Sequence, residues 1–309
     1  VKAIAFEEFG GPEVLQYRDL PDPLVGPEIA LVKVEAAGVN PVDFKIRQGY
    51  LQGLMPHHLP AIPGWDVAGT VTAVFPNVTD FVPGDEVFGY VRKDVVEHGS
   101  YAELVAAPQR CIVRKPANVD WVTAGALPLV GLTALQALRA VGAGDGDTVL
   151  VHAAAGGVGH VAVQLAQALG AKRVLGTASE RNHDYLRELG VEPVTYGDGL
   201  VERVAGLVGG DGRVDAVVDL VGGQALSDSP ALVRDRARHC SIVGNEVLEQ
   251  GGKLVWAQAD RADLTFCGEL AAAGRLRVDV ERTFPLAEAA AAHRLLEEGH
   301  VRGKLVLIP

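Results

Sequence analysis

The chain has 309 residues, 48% of them hydrophobic and 22% charged, the balance of a soluble globular protein long enough for two ordinary domains. Its formal net charge of -11 argues against nucleic acid and anionic membrane surfaces as partners. Cys111, Cys240 and Cys267 are scattered without CxxC spacing, which predicts isolated thiols rather than a disulfide framework or a zinc knuckle.

The opening stretch VKAIAFEEFGGPE carries acids where a secretory signal would carry a basic flank and an apolar run, so a cytoplasmic location is expected. Up to about residue 120, short apolar runs such as IALVKVEAAGV, VAGTVTAVF and SYAELVAA alternate with Pro/Gly/Asp turns. That spacing predicts a compact, barrel-like β domain, with one helix around Pro41 to Gln48. His57 and His58 read as a loop-exposed pair.

From Trp121 the texture changes. WVTAGALPLVGLTALQALRAVG has helical spacing with Pro128 as an internal kink. TVLVHAAA (strand), GVGHVAVQLAQALG (helix), RVLGTAS (strand) and RNHDYLRELG (helix) follow, and the alternation continues to RHCSIVGN. Such alternation predicts βαβ units and a parallel sheet with helices on both faces. LTFC near residue 264 is expected as a further strand, then FPLAEAAAAHRLLEEG as an amphipathic helix and GKLVLIP as a closing strand. The stretch from Thr148 to Ala171 lacks charge, but two histidines, two glutamines and a glycine cluster argue against a membrane span.

The glycine cluster Ala155-Gly156-Gly157-Val158-Gly159 follows a strand and opens a helix. Small residues there allow a tight turn, close approach of a pyrophosphate to the backbone, and packing of helix on strand. The helix N-terminus then offers N–H groups and a positive dipole end to phosphates. A dinucleotide site is predicted. The next strand ends Thr177-Ala178-Ser179-Glu180-Arg181, with no acid closing the strand itself. Ser179 and Arg181 suit a 2′-phosphate through a hydroxyl and a guanidinium, so NADPH is the expected cofactor. Glu180 stands against that reading, and a helix cap at Ser179 with a solvated Arg181 is the plain alternative. Val221 and Gly222 end the fourth strand and Gly244 and Asn245 the fifth, all on the side where a parallel sheet binds ligands.

The ordered set AGVNPVDFKIRQG, PGWDVAGTV, PGDEVFG, GALPLVGLTALQAL, AAAGGVG, DLVGG and RGKLVLIP resembles the zinc-independent quinone oxidoreductase branch of the medium-chain dehydrogenase/reductase superfamily. The resemblance covers the whole chain. It implies a GroES-like catalytic β-barrel from residues 1–122 and 261–309, a Rossmann doubly wound sheet over 123–260, and an active site in the cleft. It also implies a homodimer with paired Rossmann edge strands. The zinc members place a cysteine where Asn40 stands and a histidine–glutamate pair at Trp65 and Asp66, and three scattered cysteines build no zinc site.

Without a metal to stabilise an alkoxide, the acceptor must itself be electrophilic: a quinone, or an alkene conjugated to a carbonyl. Positioning, desolvation and hydrogen bonding to the oxygen that gains charge are then the protein's work. Candidates cluster in NPVDFKIRQGY. Asn40 could donate to a carbonyl; Asp43 could anchor a nicotinamide ribose or orient Lys45. Lys45, Arg47 and Tyr50 could donate to the developing oxyanion, while Asp43 and Arg47 at i, i+4 could equally be a surface pair. The resemblance further implies Thr133 beside the nicotinamide and Tyr196 beside the adenosine phosphate. Lys304 could reach cofactor phosphates or be a solvated turn lysine. Three functions remain open: an NADPH-dependent quinone reductase, an enone or enoyl-thioester reductase, and an NADPH-binding sensor or structural protein with little turnover.

Overall fold

The first 129 residues are built mainly of strands: β1 (Lys2–Ala5), β2 (Gln16–Asp19), β3 (Ile29–Val39), β4 (His57–Ile62), β5 (Asp66–Val74), β6 (Glu86–Tyr90), β7 (Val96–His98), β8 (Leu104–Pro108) and β9 (Ile112–Arg114). One short helix, α1 (Pro41–Arg47), interrupts them, and α2 (Trp121–Ala126) and α3 (Pro128–Ala140) follow. The computed structural model describes every residue from Val1 to Pro309 and divides into two units. One comprises Val1–Leu129, Ala259–Gly274 and Val278–Pro309; the other comprises Val130–Gln258 and Arg275–Arg277.

In the second unit lie β10 (Thr148–Val151), α4 (Gly159–Ala168), β11 (Arg173–Ala178), α5 (His183–Glu188), β12 (Glu192–Thr195), α6 (Leu200–Val208), β13 (Ala216–Asp219), α7 (Gly223–Leu232), β14 (His239–Ser241) and β15 (Lys253–Leu254). The chain returns to the first unit with α8 (Arg261–Ala272), β16 (Val280–Pro285), α9 (Ala289–Glu297) and β17 (Lys304–Ile308). The first division falls after α2, not at residue 122, for a packing reason. A Cβ on Gly125 of α2 would lie 2.7 Å from the Ala36 side chain of β3, so this helix rides directly on the first unit's central strand.

That central strand, β3, pairs antiparallel with β5, β8 and β17 in a sheet ordered β16-β17-β3-β5-β6-β9. Along β3, Ala30, Val32, Val34 and Ala36 are buried at period two, as a half-covered strand requires. From Ala36 to Val39 both faces are buried, because α2 covers the outer one. The core beneath includes Val67, Val71, Val87, Ile112, Leu305 and Leu307. Burying each such side chain contributes about 1.5–3 kcal/mol.

Three expectations change here. LTFC is not a strand but the interior of α8, because the Asp260 carboxylate accepts the Asp263 N–H at 2.9 Å and caps a helix that runs on through GELAA. His57 and His58 lie on β4 rather than a loop; His57 is half-buried edge-on to Phe9, its Nδ1 2.8 Å from the Met55 carbonyl. Pro128 separates two helices rather than kinking one, taking the first position of α3, where its missing N–H costs nothing.

In the second unit all six strands are parallel, in the order β12-β11-β10-β13-β14-β15. Numbered from β10, this is the 3-2-1-4-5-6 order of the doubly wound dinucleotide fold, and it reverses between β10 and β13. No helix in the protein is long and apolar enough to cross a membrane.

Candidate active site

In the second unit the turn from β10 to α4 lies where the strand order reverses. Ala153 adopts φ +53°, an uncommon conformation for a residue with a side chain, and is pinned there. Its N–H donates to Thr177 Oγ1 at 3.0 Å, and the next N–H, from Ala154, donates to the Thr177 carbonyl at 2.9 Å. Gly156 N–H donates back to the Ala153 carbonyl at 3.0 Å. A Cβ on Gly159 would sit 2.2 Å from the Ala153 carbonyl oxygen, so no side chain fits and α4 closes directly onto the turn. His160 N–H is taken by the Gly156 carbonyl at 3.1 Å, so it is the turn ahead of it, Ala155, Gly156, Gly157, Val158 and Gly159, that forms a cradle suited to a pyrophosphate at the helix N-terminus.

The other expected cofactor residues stand along the same carboxyl edge of the sheet. Ser179 follows β11 with an extended backbone, and Arg181 is exposed beyond it. Tyr196, after β12, is 58% exposed, and Val221, after β13, is 57% exposed. These are large apolar surfaces left to water at one edge. Gly222 and Gly244 are tied to that edge by Asp219: its carboxylate accepts Gly222 N–H at 2.9 Å and Ser241 Oγ–H at 2.6 Å, and Ser241 Oγ accepts Gly244 N–H at 3.1 Å. Asn245 is exposed just beyond, and Thr133 is buried on α3. His152 was not singled out by sequence. It is buried at the end of β10, within reach of Thr177 Oγ1 (3.3 Å) and Ser229 Oγ (3.4 Å), and burial lowers its pKa to about 4. This imidazole supports the turn from behind in its neutral form.

In the first unit NPVD begins α1: Asn40 caps the helix, Pro41 takes the first position, and the Asp43 carboxylate accepts Asn40 N–H at 2.8 Å. The Asn40 side chain faces elsewhere. Its Nδ2 donates to Asp66 Oδ2 at 2.8 Å, and its Oδ1 accepts from Lys304 Nζ. Asp66 Oδ1 accepts Leu129 N–H at 2.8 Å. Gly38 makes room for this carboxylate, since a Cβ there would approach Asp66 Oδ2 to 2.8 Å and the Gly125 carbonyl to 2.6 Å. Burial raises Asp66 to about 6 and Asp43 to about 7, against hydrogen bonds that favour the carboxylates.

Several expected roles move. Lys304 neither is solvated nor extends toward a phosphate; it is buried, donating to the Val39 carbonyl at 2.8 Å and to Asn40, 3.8 Å from Asp66. Arg47 forms no surface pair with Asp43. It is fully buried and bound to Glu297, the Gly10 carbonyl and His293 Nδ1. Asp43 instead accepts Tyr101 Oη–H at 3.0 Å, and Tyr101 Oη lies 3.3 Å from His293 Nε2. Lys45 is half-buried, its carbonyl accepting Tyr50 N–H at 3.0 Å, while the Tyr50 side chain is 72% exposed. The structure therefore brings Asn40 and Asp43 together with Asp66, Lys304, Tyr101 and His293, and leaves Lys45 and Tyr50 outside that cluster. Tyr101 and His293 come from distant elements, and only the burial of α9's Ala289-Ala292-His293 stripe hints at the latter.

The donors do not suit zinc. At positions 40, 65 and 66 stand an amide, an indole and a carboxylate already shared with Asn40, Leu129 and Lys304, and no three His, Cys, Asp or Glu side chains are grouped to hold a metal. All three cysteines are free and buried.

Sequence comparison matches residues 26–117 to the alcohol dehydrogenase GroES-like domain and 189–307 to the zinc-binding dehydrogenase domain. The chain is 38% identical to a chloroplast envelope quinone oxidoreductase homolog of Arabidopsis thaliana, over 62% of this chain and 60% of that one. The chain thus spans less than two thirds of that relative's length. It is 32% identical to the chloroplastic NADPH-dependent alkenal/one oxidoreductase of Arabidopsis thaliana, over 100% of this chain and 80% of the relative. The crystal structure of Escherichia coli quinone oxidoreductase complexed with NADPH superposes with a TM-score of 0.86 at 29% identity, covering 100% of both chains. With both domains matched and a whole-chain relative at this identity, the chain belongs to the zinc-independent quinone oxidoreductase branch of the medium-chain dehydrogenase/reductase superfamily.

Proposed function

We propose that this protein is an NADPH-dependent reductase that delivers hydride to a quinone without a metal. The observation that carries this reading is the β10–α4 turn: a cradle with no room for a side chain at Gly159, at the reversal of a parallel sheet whose carboxyl edge also carries the exposed Tyr196 and Val221. Ala155 to Gly159 would hold the pyrophosphate, and Ser179 with Arg181 the 2′-phosphate. Tyr196, Val221, Gly222, Gly244 and Asn245 would line the nucleotide, with Thr133 at its nicotinamide end. NADPH supplies the hydride. Asn40 and Asp43 are the proposed catalytic polar groups on this reading, and Lys45 and Tyr50 are further candidate donors. Reduction of a conjugated alkene is the second reading, supported by the name of the alkenal/one reductase that aligns along the whole chain.

The test is NADPH oxidation followed at its nicotinamide absorbance with a benzoquinone, an ortho-quinone, an alkenone and a crotonyl thioester. Gly156→Asp serves as the background control, because a Cβ there meets only the Ala153 carbonyl, at 3.3 Å. Quinone-dependent oxidation by the wild type alone supports the first reading, and preference for the alkenone or thioester replaces it with the second. Tight NADPH binding with no turnover would instead point to a sensor or structural protein. We infer further that the protein is a homodimer paired through β15, one of the sheet's two outer strands, whose Leu254 and the following Trp256 are exposed; light scattering would read the mass.

A further inference from the structure

We propose that Lys304 is a positioning residue for the reduction, locking the Asn40 amide so that its NH₂ group, and not its carbonyl, is available to the substrate oxygen. The inference rests on the reductase reading above. Its ground is the direction of the hydrogen bonds. An ammonium only donates, so the Asn40 atom facing Lys304 must be Oδ1; a carboxylate accepts, so the atom facing Asp66 is Nδ2. The two partners reject the flipped amide at both ends. One Nδ2 hydrogen goes to Asp66 Oδ2, and the second has no acceptor in the structure.

Lys304 is itself held rigidly. It is 3% exposed, anchored to the Val39 carbonyl at 2.8 Å, and projected from the first residue of β17. Val39 and Asn40 are consecutive, so one ammonium grips both the end of β3 and the cap of α1. It also offsets Asp66, whose charge 3.8 Å away would otherwise oppose a developing oxyanion beside Asn40. Asp43 is the second carboxylate of the cluster, pinned through Oδ2 by Asn40 N–H and Tyr101, with Oδ1 unpartnered. The remaining nearby cation, Arg47, is committed to Glu297 and Gly10. That leaves Lys304 as the charge that orients Asn40.

The test is Lys304→Met, which keeps an unbranched side chain one atom shorter and removes the charge, assayed with NADPH and benzoquinone in the native background and in Asn40→Ala. In the native background kcat should fall about 10²-fold, the usual effect of losing one preorganised donor, with KM for NADPH unchanged. In Asn40→Ala the same substitution should cost less than about twofold, since the group it acts through is gone. Equal losses in both backgrounds would overturn the proposal and make Lys304 merely structural. A readout independent of turnover is the Asn40 side-chain amide in ¹⁵N NMR of the wild type. Its two hydrogens should exchange with water at rates at least about tenfold apart, one bound to Asp66 and one uncommitted. Equal rates would refute the lock even if Lys304→Met failed to fold, or if no acceptor were reduced and the reductase reading itself fell.

Discussion

His293→Gln separates the structural value of the buried imidazole from its proton chemistry. His293 Nδ1 lies 3.3 Å from Arg47, which can only donate, so Nδ1 accepts and the proton of the neutral ring sits on Nε2, toward Tyr101. Tyr101 in turn donates to Asp43. Glutamine can reproduce this polarity, with its carbonyl toward Arg47 and its amide toward Tyr101. Burial, aided by Arg47, lowers the imidazole from 6.5 to about 3. The folded state therefore refuses a proton that the unfolded chain accepts below pH 6.5. This group's stability is fully present above pH 6.5 and is lost as pH falls toward 3. At pH 5 the unfolded chain gains about 2 kcal/mol from protonating this histidine, by proton linkage over one and a half pH units. Glutamine cannot titrate. Relative to the wild type, His293→Gln should thus improve by about 2 kcal/mol between pH 8 and pH 5. Urea unfolding at the two pH values measures this, and the difference cancels every other titrating group common to both proteins. An unchanged gap at pH 8 and 5 would show that His293 is solvated or already charged, and would refute the hydrogen-bond chain.

Three further outcomes are expected. Arg181→Glu should weaken NADPH binding by tenfold or more while sparing NADH, because it places a carboxylate where the 2′-phosphate is proposed to lie; isothermal titration with both nucleotides decides it. Gly159→Ala should cost about 2 kcal/mol or more in stability, read from the urea midpoint, since its Cβ would overlap the Ala153 carbonyl; near-native stability would refute that close approach. Ala153→Gly should raise the melting temperature, relieving about 1 kcal/mol of left-handed backbone strain, and a lower melting temperature would mean the methyl group packs to advantage.

The second unit was the more legible from sequence, because its signals are local. A strand, a glycine turn and a helix follow one another within a short stretch around residue 156, and the parallel order then follows from handed connections. The first unit's site was only half legible. NPVD announced a capped helix and drew attention to Asn40 and Asp43, but their partners Asp66, Tyr101, His293 and Lys304 arrive from β5, the turn before β8, α9 and β17. No periodicity or spacing encodes such meetings. Arg47 shows the difficulty: at i, i+4 from Asp43 it reads as a surface pair, yet α9 buries it and supplies Glu297 instead. LTFC misled because its β-formers were read without the capping aspartate just ahead of them.

The hydrogen bonds from Lys304 to Val39 and Asn40 span 265 and 264 residues of chain. A ribosome making this protein therefore delivers Asn40 264 residues before its ammonium partner. The second unit's sheet, β10 to β15, is complete before β17 is synthesised and can fold on schedule as a unit. The first unit's sheet has no such freedom, because β17 pairs with β3, near its middle rather than its rim. Until β17 emerges, β3 keeps an open edge over Ala37 to Val39, and two buried carboxylates lack their counter-charge. A nascent chain halted before Lys304 would hold a formed nucleotide domain beside an unfinished barrel, the form a chaperone or protease would meet.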